Sequence, residues 1–226
     1  MIDTLLPVLA VLVIAGASSV AFAIERAGQP IVLWSLLLAN ALLAAVSLWR
    51  MWRDGTLLDL FRWRRGDITL GFLVALGLAA CTFAGRQMVA PPGTSADSWV
   101  VRLYLQLGPP PASRQAGVAF LLAIVAVTVA EEVVWRGMVQ QILEEKFGVR
   151  VGWIAAAVLY ALAHLPTLWL MAMPPVGKNP LVMLAALFCG AVWGFLVARK
   201  QRLAPALVSH AIFTYALTAQ FRLWTP

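Results

Sequence analysis

Residues 116–143 read AGVAFLLAIVAVTVAEEVVWRGMVQQIL. Fifteen uncharged residues, Ala116 to Ala130, lead into Glu131 and Glu132, Arg136 follows about one helical turn later, and apolar residues resume at Met138 and Val139. A hydrocarbon layer about 30 Å thick is crossed by about 20 apolar residues of helix. This stretch is therefore long enough to span a bilayer while carrying three charges inside it. Residues 4–24, 31–49, 68–85, 151–173, 180–198 and 203–221 are also long and apolar. They lack the strict polar alternation of a transmembrane barrel, so backbone hydrogen bonds must be satisfied within helices. The expected architecture is all-α: a polytopic transmembrane helical bundle of about seven helices, six to eight.

Composition agrees. Of 226 residues, 62% are hydrophobic and only 12% charged, against about a quarter charged in soluble domains. Most of the surface is expected to face a lipid bilayer. Ala21, Phe22 and Ala23 imitate a signal-cleavage site, but no basic start precedes them and Asp3 is the lone earlier charge, so a retained first helix is expected. Arg50, Arg53, Arg62, Arg64, Arg65, Arg136, Lys146, Arg150, Arg199, Lys200 and Arg202 fall on one side of a seven-helix arrangement. The positive-inside rule then puts the amino terminus in the cytoplasm, in what is read as a prokaryotic cytoplasmic membrane, and the carboxyl terminus outside.

The net charge of +7 does not indicate nucleic acid, because the basic residues are scattered at helix ends without a basic face. Residues 86–115, with Pro91, Pro92, Gly93, Trp99, Val100 and Tyr104, read as an interfacial segment. Cys81 and Cys189 show neither disulfide nor ligand spacing. The chain is expected to form one membrane domain, with helices and the interfacial loop in 1–115 and a catalytic helical core in 116–226.

Ionisable groups at membrane depth cost several kcal/mol and commonly mark function. Glu131 lies about 22 Å along its helix, expected inside and nearer the cytoplasmic face. Glu132 and Arg136 are four apart and can pair, while Glu131 points about 100° away. One neutralised acid beside a freer one suits acid–base chemistry. The competing reading is a solvated cap at a helix end, which the following apolar residues oppose. The chain has two histidines, His164 and His210, 46 positions apart in separate apolar stretches. Tyr160 lies four residues before the first and Thr214 four after the second.

Glu131-Glu132-x-x-x-Arg136, Tyr160-x-x-x-His164 and His210-x-x-x-Thr214, in this order, resemble the motifs of the CPBP family of CAAX-processing and bacteriocin-processing membrane proteases. The resemblance covers about residues 116–221. It implies that Glu131 activates water with help from His164, that Glu132 and Arg136 organise the site, and that His210 and Thr214 stabilise the oxyanion. Tyr160 stands where the family usually has Phe, and Thr214 where it usually has Asn. The implied substrate is a membrane-associated protein or peptide, with no cofactor and no metal. His164, His210 and a glutamate could in principle form a zinc set, but no His-Glu-x-x-His helix is present. Two other classes stay open: a noncatalytic immunity or interaction protein using the cluster as helix glue, and a transporter with a proton relay.

Overall fold

The computed structural model describes residues 5–108, 114–221 and 223. The helices are α1 (Leu6–Ala21), α2 (Ile31–Arg53), the single turn α3 (Leu57–Leu60), α4 (Asp67–Val89), α5 (Asp97–Leu107), α6 (Arg114–Val134), α7 (Gln140–Phe147), α8 (Val149–Ala163), the single turn α9 (Thr167–Leu170), α10 (Leu181–Lys200) and α11 (Ala204–Tyr215). A π-helical segment, Trp135–Val139, joins α6 to α7 without a break, and a second, Ala216–Gln220, extends α11. Among the described residues there is no strand.

Five helices are long and apolar enough to cross a membrane: Ile31–Arg53, Asp67–Val89, Val118–Phe147, Val149–Leu170 and Leu181–Lys200. Leu6–Ala21 and Ala204–Ala219 are shorter apolar helices. All seven apolar stretches are thus helical. The start of the first, at residue 4, lies outside the described residues. The fifth is not the continuous helix over 151–173 that its composition suggests. It stops at Ala163 because Pro166, lacking an N–H and restricting the residue before it, ends the ladder.

Prolines and glycines set the other boundaries. Pro7 and Pro205 occupy the first turns of α1 and α11, where a backbone N–H is not needed. Gly148, at φ 80°, is the sole residue between α7 and α8. A left-handed turn this tight favours a residue without Cβ.

Three basic connections gather at one end of the bundle. Arg50 on α2 pairs with Glu145 on α7 at 2.8 Å, Arg202 after α10 pairs with Asp67 on α4 at 2.6 Å, and Leu203 N–H donates to the Leu60 carbonyl at 2.8 Å. At the opposite end lies α5, within the segment read as interfacial. Its Val100, Arg102, Tyr104 and Gln106 are buried. Gln106 Nε2 donates to the carbonyl oxygens of Ala21 at 2.5 Å and Ala23 at 3.2 Å, and Arg102 donates to that of Phe22 at 3.4 Å. These two side chains donate to carbonyls at and just beyond the end of α1, where intrahelical donors run out, so α5 caps the bundle.

In the interior α8 packs on α10, α11 on α4, and α6 on α2. The α4–α11 contact holds the helix that carries His210, and Gly71 makes it possible. A Cβ at Gly71 would lie 2.6 Å from Val208 Cβ and 2.8 Å from the Pro205 carbonyl oxygen, whereas at Gly77 on the same helix nothing lies within 4 Å. Gly71→Ala should therefore destabilise by about 1–3 kcal/mol, the scale of overpacking, and lower the melting temperature of the detergent-purified protein. Gly77→Ala, which meets no atom and gains helix propensity, should leave it unchanged or slightly higher; a loss equal to that of Gly71→Ala would refute this account of the contact.

Candidate active site

Glu131, Glu132 and Arg136 sit near the middle of the 30-residue apolar helix Val118–Phe147 rather than at its end. Their exposures are 7%, 0% and 2%, which excludes a solvated cap. The helix also continues past residue 143, to Phe147. The π turn begins at Trp135, just beyond the acids, and all five of its residues are buried. Such an interruption of the i→i−4 ladder is rare and recurs at functional sites.

Arg136 is held on several sides. Nη1 donates to Glu132 Oε1 at 3.0 Å and Nη2 to the Gly190 carbonyl on α10 at 3.2 Å. Its guanidinium carbon stands 4.8 Å from the Tyr160 ring centroid and 5.4 Å from that of Trp193. Gly190 permits this approach: a Cβ there would fall 2.9 Å from Tyr160 Cδ1 and 3.5 Å from Arg136 Nη2.

His210 joins the two acids. Nδ1 lies 2.8 Å from Glu132 Oε1, and Nε2 lies 3.5 Å from Glu131 Oε2. A carboxylate oxygen accepts, so Nδ1 carries the proton. Trp193 stacks on the imidazole, with centroids 3.8 Å apart and planes at 22°, and is itself fixed by Nε1 donating to Ser209 Oγ at 3.0 Å. The second oxygen of Glu132, Oε2, is buried without a hydrogen-bond partner among the described residues. Glu131 Oε2 accepts from the Tyr160 hydroxyl at 3.2 Å. The two acids thus differ in environment: Glu132 has the arginine and a histidine N–H, and Glu131 has a phenol and the far side of the same imidazole.

His164 is the C-cap of α8, not a mid-helix residue. Its Nδ1 lies 2.9 Å from the Tyr160 carbonyl oxygen, its own carbonyl accepts from Thr167 Oγ1 at 2.7 Å, and its ring meets that of Tyr160 edge-on at 4.9 Å. Because a carbonyl only accepts, Nδ1 bears the proton and the neutral ring keeps an accepting lone pair at Nε2. Thr214 lies one turn beyond His210 on α11. Its carbonyl accepts from Thr218 Oγ1 at 2.7 Å, and no hydrogen bond ties its hydroxyl to the cluster among the described residues. The structure therefore brings together Glu131, Glu132, Arg136 and His210, adds His164 through Tyr160, and leaves Thr214 at the margin.

Tyr160 as a donor to Glu131, Trp193 as the platform for His210 and Gly190 as an acceptor for Arg136 were not evident from the sequence. Gly190-x-x-x-Gly194 is a small-residue spacing that signals close helix packing in membranes, but it does not reveal that Arg136 arrives there. Among the described residues, no group of three His, Cys, Asp or Glu side chains is arranged to hold a metal ion.

Residues 113–216 match the family model described as "Type II CAAX prenyl endopeptidase Rce1-like". The match covers most of the carboxyl half of the chain, which is similar to this family there. No curated protein and no solved structure gives a significant match. The matched segment contains Glu131, Glu132, Arg136, His164, His210 and Thr214. Rce1-like proteins are a protease family within the CPBP group, so the match supports peptidase activity. Together with five helices of spanning length, it identifies an integral membrane protein.

Glu132 has no exposed surface, and removing its arginine leaves a buried carboxylate short of its cation. Arg136→Ala should cost about 3–5 kcal/mol, the range for breaking a buried pair from one side. The expected result is a lower yield of monodisperse, detergent-solubilised protein and a lower melting temperature. Arg136→Lys, which keeps the charge but not the two-nitrogen fork that reaches both Glu132 and the Gly190 carbonyl, should fall between. A fully stable Arg136→Ala protein would contradict the burial of this pair.

Proposed function

We propose that this protein is an intramembrane endopeptidase that hydrolyses a membrane-associated protein or peptide with water activated by Glu131. The observation that carries the proposal is the division of labour between neighbouring acids: Glu132 is fixed by Arg136 and His210, whereas Glu131 faces Tyr160 and the Nε2 side of His210. A base must hold a free carboxylate within reach of water, and Glu131 is the acid with no arginine on it.

In this reading Glu131 takes a proton from water, assisted by the Nε2 lone pair of His164. The hydroxide oxygen bonds to the peptide carbonyl carbon, and the carbonyl electron pair moves onto oxygen. Collapse breaks the C–N bond as the proton held at Glu131 passes to the departing amine. His210 presents its Nε2 edge beside Glu131, where an N–H would be the donor for the oxyanion. The Thr214 hydroxyl, on the same face one turn along, is the proposed second donor.

One feature favours the noncatalytic alternative, an immunity or interaction protein with the cluster as helix glue. The acids and both histidines are almost sealed, and none of them lies in the wall of the cavity of about 350 Å³ at the basic end or of the one of about 340 Å³ beside α2 and α6. Glu131→Gln separates the readings, since it keeps the volume and removes the base. In a strain lacking the gene, terminal-peptide proteomics should show membrane precursors that keep their end segments. Wild type should restore processing, and Glu131→Gln at equal membrane abundance should not; restoration by Glu131→Gln would end the proposed mechanism.

Thr214→Val deletes a donor with little change of shape. It should lower turnover of a cleaved precursor by up to about 10²–10³, the scale for one oxyanion donor. Unchanged turnover would remove Thr214 from the site.

A further inference from the structure

We propose that the basic end of the bundle binds the phosphate of an anionic bilayer lipid. The site is a cavity of about 350 Å³ between the α2–α4 connection, α7 and the α10–α11 turn. Arg62, Arg64, Lys200 and Arg202 line it, with Gln141 and Asp59. Arg202 is committed to Asp67, through Nε at 2.9 Å and Nη2 at 2.6 Å. The side chains of Arg62, Arg64 and Lys200 form no ion pair among the described residues, so three cations share the cavity with one wall carboxylate, Asp59.

A helix C-terminus ordinarily repels anions through its bare carbonyls, and α10 ends at this cavity. Here donors cover it. Gln201 Nε2 donates to the Ala198 carbonyl at 2.7 Å, Gln201 N–H to that of Val197 at 2.7 Å, and Arg202 Nη1 to that of Lys200 at 2.9 Å. The cavity thus offers exposed cations, with three of the last four carbonyls of α10 already hydrogen-bonded.

The exposed residues nearby select lipid over free phosphate. Trp63, between Arg62 and Arg64 in sequence, is 54% exposed; Trp52 is 70% and Leu58 84% exposed. Tryptophans beside arginines at the end of a spanning helix mark the level where headgroups meet acyl chains. Basic pockets between helices at that level suit phosphate-bearing headgroups. A lipid seated here would place its phosphate among Arg62, Arg64 and Lys200 and its chains against the exposed Trp and Leu side chains. This assignment does not depend on the peptidase reading.

The test is thermal melting of the full-length protein in dodecylmaltoside micelles supplemented with phosphatidylglycerol, phosphatidylcholine or inorganic phosphate. Bound ligand raises the melting temperature by mass action. Phosphatidylglycerol should raise it, with phosphatidylcholine and inorganic phosphate giving little. The triple variant R62Q/R64Q/K200Q, which leaves the Arg202–Asp67 pair intact, should melt like wild type without added lipid and lose at least half of the phosphatidylglycerol shift. Asp59→Asn, which removes the opposing charge, should enlarge that shift. An equal shift with phosphatidylcholine, or an undiminished one in the triple variant, overturns the site. A shift with inorganic phosphate as large as with phosphatidylglycerol overturns the assignment to lipid.

Discussion

The ion pair between Glu132 and Arg136 is buried where bulk water does not compensate it, and the architecture around it follows from that need. Two charges taken from water are tolerated only if each finds close partners. Arg136 reaches its own helix through Glu132, α10 through the Gly190 carbonyl, and the aromatic faces of Tyr160 on α8 and Trp193 on α10. Glu132 in turn accepts from His210 on α11. One pair of side chains therefore ties four helices together at one depth.

Small residues follow from the same requirement. Arg136 could not approach the α10 backbone past a side chain at 190, and Gly194 lets the next turn lie against α8, where a Cβ would come 3.4 Å from the Trp153 carbonyl oxygen. On the α6–α7 helix, Gly137 lies within the π turn, where a Cβ would stand 2.9 Å from Met51 Cε on α2. Close backbone packing replaces the hydrophobic drive that is absent between helices in lipid. Once the frame is rigid around Glu132, Glu131 becomes chemically distinct although it is the adjacent residue. It is turned toward Tyr160 and His210, outside the reach of the arginine's hydrogen bonds.

The helical fold was legible in the amino-acid sequence because a bilayer imposes a simple rule: about 20 apolar residues per crossing, with backbone groups paired internally. All seven apolar stretches became helical, the fifth with a break after Ala163, and the i,i+4 relation of Glu132 to Arg136 became an ion pair of 3.0 Å. That relation is local and fixed by helix geometry. The order of Glu131, His164 and His210 along the chain likewise carried the resemblance to membrane proteases, and the match of residues 113–216 agrees with it.

The partners across helices had to come from three dimensions. Nothing in spacing tells that His210 takes Glu132 through Nδ1, 78 positions away, or that the Tyr160 hydroxyl goes to Glu131. Helix rotation and crossing set those contacts, and they depend on which faces pack, as Gly71 against Val208 and Gly190 against Tyr160 illustrate. The inward turn of α5 was hidden for a related reason: nothing in the spacing of Arg102 and Gln106 tells that they reach the carbonyls at the end of α1. Period and composition record what a segment can do within itself and against lipid. Which polar groups complete one another is settled only when separate helices are brought to hydrogen-bond distance.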